Sequence, residues 1–119
     1  LGKKALDLGA ILRAKVNLNI GTDGLSSNIS LNFWDELRAV LLTHQNLELN
    51  HLAKVVFKAA TKGGADALGI NSGELRPAKL ADVAVYSAPK CDDSELILQL
   101  ILHTKQAKRL YIGGKICEF

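Results

Sequence analysis

Residues 16–37 read V-N-L-N-I-G-T-D-G-L-S-S-N-I-S-L-N-F-W-D-E-L. Val16, Leu18 and Ile20 alternate with Asn17 and Asn19, which is the two-residue period of a β-strand. Gly21, Thr22, Asp23 and Gly24 then supply the residues on which a chain turns sharply, so Asp23 is expected just past the C-terminal end of that strand. A polar loop runs on to Ser30. At Asn32 a helix opens, capped by the Asn side chain, with Asp35 and Glu36 placing negative charge in the first turn. Strand, carboxylate, polar loop and helix, in that order, lay out an active-site edge.

On the N-terminal side, Leu1, Ala5, Leu8 and Leu12 recur on one helical face while Lys3, Lys4, Asp7 and Arg13 fall elsewhere, predicting an amphipathic helix to about Ala14. On the other side, the helix from Asn32 to about His44 turns Phe33, Trp34, Leu37, Val40 and Leu41 mostly one way, and Trp34 reads as a core aromatic. Asn50 is placed to cap a third helix, whose Leu52, Val55, Val56, Ala59 and Ala60 keep the spacing of one face. Gly63 and Gly64 are expected as its left-handed exit, followed by a short turn ended by Gly69.

From Asn71 the pattern changes. Gly73 and Pro77 punctuate a turn, and Val83, Val85 and Tyr86 predict a strand near residues 82–87, bounded by Pro89. Asp93 or Ser94 is expected to start a helix running to His103, too densely apolar to be covered on one side alone. Gly113 and Gly114 then form a two-residue hairpin turn between two short strands.

The run G-T-D-G-L-S-S-N at residues 21–28, with L-N-F-W-D-E-L-R at 31–38, resembles the last barrel strand and following helix of the metal-dependent amidohydrolases. The resemblance is to the branch holding chlorohydrolases and nucleoside-type deaminases, aminofutalosine deaminases above all. Two further stretches resemble the family in order: A-A-T-K-G-G-A-D-A-L-G at 59–69, and G-E-L-R-P-A-K-L-A-D-V at 73–83, where Ala78 stands at a position the family usually fills with glycine. The implied fold class is α/β: residues 1–70 as the last strand and helices of a (β/α)8 barrel, and residues 71–119 as the C-terminal part of a small β-sandwich. In such a barrel, Asn17 and Asn19 would face a polar interior. A complete barrel of this type needs about 250 residues, so a chain of 119 residues that starts at Leu1 inside a helical pattern is expected to be a C-terminal portion.

Composition narrows the field. With 48% hydrophobic and 23% charged residues the chain is ordinary globular material. Its formal charge of +3 comes from basic residues scattered among acids, which argues against a nucleic-acid partner. No apolar run is long enough for a membrane span. Cys91 and Cys117 show neither metal-ligand spacing nor a disulfide framework, and a reducing cytoplasmic compartment is the default.

Asp23 is the residue expected to carry chemistry. Alone, T-D-G is more often a structural turn than a site, but the end of a barrel strand is where barrel enzymes keep their catalytic groups. The resemblance implies that Asp23 helps to coordinate a divalent metal, zinc or else iron, and moves a proton between the attacking water and the leaving amine. Ser27 and Asn28 follow on the same loop as candidate contacts to a small-molecule substrate, though Ser26 and Ser27 read somewhat better as satisfying loop backbone. His44, His51 and His103 keep no ligand spacing and read as helix-end or surface histidines; Lys79 reads as structural. The family builds its metal site mainly from an H-x-H pair and further histidines, and H-x-H does not occur here. The 119 residues alone are therefore expected to be inactive, and to associate with a missing N-terminal portion or with further copies. The rival reading is a non-catalytic α/β binding or assembly module that keeps the tail of the fold.

Overall fold

A computed structural model of the protein describes residues 5–118. The expected positions Leu1, Lys3 and Lys4 of the opening helix lie outside the described residues. The helix itself, α1, spans Leu8–Arg13 and starts later than its periodicity suggests, because Asp7 caps it by accepting a hydrogen bond from the Ala10 amide.

Helix α2 spans Phe33–Thr43, capped as expected by the Asn32 side chain, with Asp35 and Glu36 in its first turn. Helix α3 spans Leu49–Lys58, but its cap is Glu48, whose two carboxylate oxygens accept from the amides of Asn50 and His51. Asn50, expected in that role, lies inside the helix. The ionised carboxylate answers two free amides at once and adds negative charge at the positive end of the helix.

Gly63 and Gly64 do not end α3. Both hold right-handed helical angles, φ −60° and −64°, and the helix passes through a wider π-helical turn, Ala59–Gly63, into α4, Gly64–Leu68. The left-handed exit is Gly69 at φ 66°. Gly63 is glycine for a different reason: a Cβ there would overlap the carbonyl oxygen of Leu18.

Segment 16–20 forms no strand ladder. It keeps part of the expected alternation: Leu18 and Ile20 pack against the core and Asn17 and Asn19 face outward, but Val16, expected on the face of Leu18 and Ile20, is 59% exposed. A strand is made by its neighbours, and among the described residues no second segment runs beside this one to take its amide and carbonyl groups.

The core is helical. Leu52, Ala53 and Val56 of α3 are fully buried, against Leu37 and Leu41 of α2 and against Leu98 and Ile101 of α5, Leu96–His103. Helix α5 starts without the side-chain cap expected of Asp93 or Ser94. Its Ile97, Leu98, Leu100 and Ile101 pack on the core while Leu102 stays 42% exposed, so it is covered on one broad side. Because α5 lies within residues 71–119 yet shares the core of α2 and α3, the expected division at residue 70 is not a break in packing. Trp34 is 8% exposed, as expected of a core aromatic, and stands edge-on to Tyr86 at 5.1 Å between ring centres.

The β part is one antiparallel sheet in the order β1, β2, β3: Val83–Val85, Arg109–Ile112 and Lys115–Cys117. Val83 pairs with Tyr111, and Tyr111 with Ile116. Gly113 and Gly114 take φ 56° and 79° in the hairpin turn, as two adjacent left-handed positions require. Asp82 ties that turn back: one carboxylate oxygen accepts from the Gly113 amide at 2.8 Å, the other from Ser72 Oγ at 2.8 Å. In the preceding turn Ala78, at the position the resemblance gives to glycine, sits at φ 66°.

Candidate functional site

Asp23 is exposed and takes a left-handed backbone conformation, φ 55°, at the turn that follows segment 16–20. Such angles cost an L-residue roughly 1–2 kcal/mol, least for Asp and Asn, so they persist only where neighbouring bonds hold them. Those bonds come from the loop that follows. The amides of Ser27 and Asn28 both donate to the Gly24 carbonyl at 3.0 Å, closing a helical turn around residues 24–28. The turn brings Ser27 beneath Asp23, and Ser27 Oγ donates to Asp23 Oδ2 at 2.6 Å. Ser26 stays exposed.

Asn28 is employed differently from its expected part as a substrate contact. Its Nδ2 donates to the Thr22 carbonyl at 2.8 Å and to Glu36 Oε1 at 2.5 Å, and its Oδ1 accepts from the amides of Ile29 and Ser30 at 2.8 and 3.4 Å. A second tie lies one residue along: Ser30 Oγ donates to Asp35 Oδ2 at 2.7 Å, while Arg38 Nη2 donates to Asp35 Oδ1 at 2.7 Å. The Ser30 hydroxyl and then the Arg38 guanidinium hold the Asp35 carboxyl below its ordinary range. Arg38 Nη1 reaches across to the carbonyls of Ile101 and Thr104 at the end of α5, at 2.7 and 2.9 Å.

Glu36 is the residue that sequence reasoning did not assign to the site. It was legible only as a favourable charge at a helix N-terminus; its bond to Asn28 depends on the path of the loop.

Only Ser27 among the described side chains hydrogen-bonds the Asp23 carboxylate. No three His, Cys, Asp or Glu residues among the described ones gather into a metal-holding group. His44 and His103 stand at the ends of α2 and α5, where the sequence puts them. The donor set fits one ligand of a metal centre, an exposed carboxylate with one oxygen oriented by a hydroxyl, and no more.

Residues 1–117 match the amidohydrolase family. The chain belongs to that family. Among amidohydrolases it is 47% identical to an adenosine deaminase of Helicobacter pylori and 43% identical to an aminodeoxyfutalosine deaminase of a Nitratiruptor species, over 97% of its own length in each case. It spans only 28% of the length of these curated relatives. In structure it matches the Helicobacter pylori aminofutalosine deaminase solved with methylthio-coformycin at a TM-score of 0.92 and 45% identity, covering 99% of this chain and 29% of that one. An adenosine deaminase of Xanthomonas campestris with bound zinc matches at a TM-score of 0.71 and 32% identity, over 90% of this chain and 27% of that one. The α/β fold is thus a portion of the amidohydrolase fold, and the matched residues take in the stretches at 21–38, 59–69 and 73–83. No helix among the described residues is long and apolar enough to cross a membrane.

Proposed function

We propose that this chain is a portion of a cytoplasmic, metal-dependent deaminase that replaces the amino group on the purine-like ring of a nucleoside by water, with aminofutalosine-type substrates first and adenosine-type second. One observation carries the reading: a chain that aligns along 97% of its length with deaminases presents an exposed carboxylate, Asp23, backed by a hydroxyl at 2.6 Å.

A divalent cation, zinc or else iron, would be held in part by Asp23 and, when bound, lowers the pKa of a water toward neutrality. The chain's own residues do the following. Ser27 holds Asp23 Oδ2 and leaves Oδ1 as the oxygen that receives the proton of the attacking water. The water oxygen bonds to the ring carbon, Asp23 delivers the proton to the amino nitrogen, the C–N bond breaks and ammonia leaves. Ser27, whose hydroxyl bonds the Asp23 carboxylate, is also this loop's candidate contact to the substrate. In the complete protein residues 1–70 would close the barrel, and the three-stranded sheet would belong to a small β-sandwich.

The test is Asp23→Asn in the complete enzyme, assayed on aminodeoxyfutalosine, adenosine and 5′-deoxyadenosine with metal content and thermal melts alongside. Asn keeps the left-handed turn and removes the base, so turnover is expected to fall by about 10²- to 10⁴-fold with folding little changed. Near-normal turnover with metal bound would remove Asp23 from the mechanism.

A further inference from the structure

We propose that Asn28, anchored by Glu36, is a positioning residue that sets the direction of the Asp23 carboxylate, and that the rigid body behind it is helix α2. The proposal rests on the reading of Asp23 given above.

An Asn carboxamide has two donor hydrogens and one acceptor oxygen with two lone pairs. All four capacities of Asn28 are used inside the protein: Thr22 O and Glu36 Oε1 take the hydrogens, and the amides of Ile29 and Ser30 take the oxygen. Nothing is left over for a substrate. What the side chain does hold is the Thr22 carbonyl, the group joined by one peptide bond to Asp23. Holding that peptide plane helps to fix the left-handed turn at Asp23, φ 55°.

Asn28 in turn is held by the side chain of Glu36, whose backbone is set in a helix. Glu36 sits one turn into α2, whose Trp34, Leu37 and Leu41 are buried in the core. The line runs from packed helix to carboxylate, to carboxamide, to peptide plane, to Asp23. The Ser30–Asp35 bond at 2.7 Å ties the far end of the same loop to the same helix, so the loop is pinned at two places to one rigid element. A reacting group gains from this because a carboxylate displaced by about 1 Å loses much of the rate that orientation provides.

The experiment uses the complete enzyme, with adenosine and 5′-deoxyadenosine as probes, and reads kcat, KM, metal content and thermal melts for Asn28→Ala, Glu36→Ala and Glu36→Gln. Both alanine variants are expected to lower kcat by about 10- to 100-fold, the usual effect of losing an outer partner of a metal-site group, with KM little changed. Gln keeps an acceptor oxygen at the same reach, so Glu36→Gln is expected to recover most of the rate. Placed on top of Asp23→Asn, Asn28→Ala is expected to lower turnover no further, because residues that act as a unit are not additive. A rise in KM at constant kcat would make Asn28 a substrate contact and overturn the proposal; so would a full additional loss in the Asp23→Asn background. If Asn28→Ala does not fold, Glu36→Ala against Glu36→Gln decides the matter, and equal rates for the two overturn it. A slow Asp23→Asn beside a normal Asn28→Ala sinks this inference alone, whereas a normal Asp23→Asn sinks the reading beneath it.

Discussion

A methyl group built on Gly63 overlaps the carbonyl oxygen of Leu18, backbone against backbone. At this crossing the segment that leads to Asp23 lies directly on the π-helical turn, and Asn17 Nδ2 fastens it there by donating to the Gly63 carbonyl at 3.0 Å. Neither partner is a side chain that can rotate away. Gly63→Ala is therefore expected to destabilise the protein by about 3 kcal/mol, the upper range for overpacking, and to slow turnover by moving the stem of the Asp23 turn. Urea midpoints and kcat of the complete enzyme check both; an unchanged midpoint would show that the two backbones part easily.

Ala78 occupies a left-handed conformation, φ 66°, that only glycine adopts without cost. Replacing it relieves roughly 1–2 kcal/mol of backbone strain and returns about 0.4–1 kcal/mol through the greater freedom of the unfolded chain. Ala78→Gly is expected to stabilise the protein by about 0.5–1 kcal/mol, without change in kcat. Paired thermal or urea melts measure it, and a loss of stability would mean that the turn holds its shape for another reason.

Acid is expected to weaken the fold through carboxylates whose pKa is lowered in the native state. Ser30 and Arg38 hold Asp35 below its ordinary 3.8, the amides of Asn50 and His51 hold Glu48 below 4.5, and the Gly113 amide with Ser72 holds Asp82 below 3.8. The unfolded chain takes up these protons first. Their contribution is complete above the unfolded values of 3.8 to 4.5, erodes as pH falls through them, and is gone once the folded groups protonate. Urea midpoints from about pH 6 down to about pH 3 should fall, and Asp35→Asn should flatten part of that slope. A parallel slope in the variant would take Asp35 out of the account.

Expressed by itself, the 119-residue chain is expected to bind zinc weakly and to self-associate. One carboxylate cannot build a four-ligand site, and Leu25, Leu31, Leu68 and Leu75 stand between 56% and 83% exposed. Equilibrium dialysis against zinc and sedimentation at micromolar concentration test both halves. Stoichiometric zinc held through Asp23, or a monodisperse monomer, would contradict them.

Much of this architecture was legible in the residues. Asn32 with Asp35 and Glu36 is an N-terminus written locally, and Gly113-Gly114 is a turn written locally; both appear as expected. What failed was whatever depended on a distant partner. Segment 16–20 has the period of a strand and no neighbour among the described residues to make it one. Gly63 has the local look of a helix exit, yet its missing side chain serves a backbone crossing with Leu18. Asn50 and Glu48 are both competent caps, and the one whose two oxygens meet two amides took the position. In the site, Asp23 and Ser27 are four apart, and a polar turn brings them together in a readable way. The bond from Asn28 to Glu36 follows only once the loop's course is known.

The grip of Arg38 on the end of α5 has a consequence in time. The carbonyls it holds, of Ile101 and Thr104, lie 63 and 66 residues further along the chain. At roughly 5–20 residues per second the ribosome needs about 3 to 13 s to add them after Arg38 itself. Until they emerge, α2 lacks both its anchor on α5 and the α5 side of its core, and the loop hung from it has no fixed frame. The edge that carries Asp23 therefore gains its fixed frame only after residues 101–104 have been added.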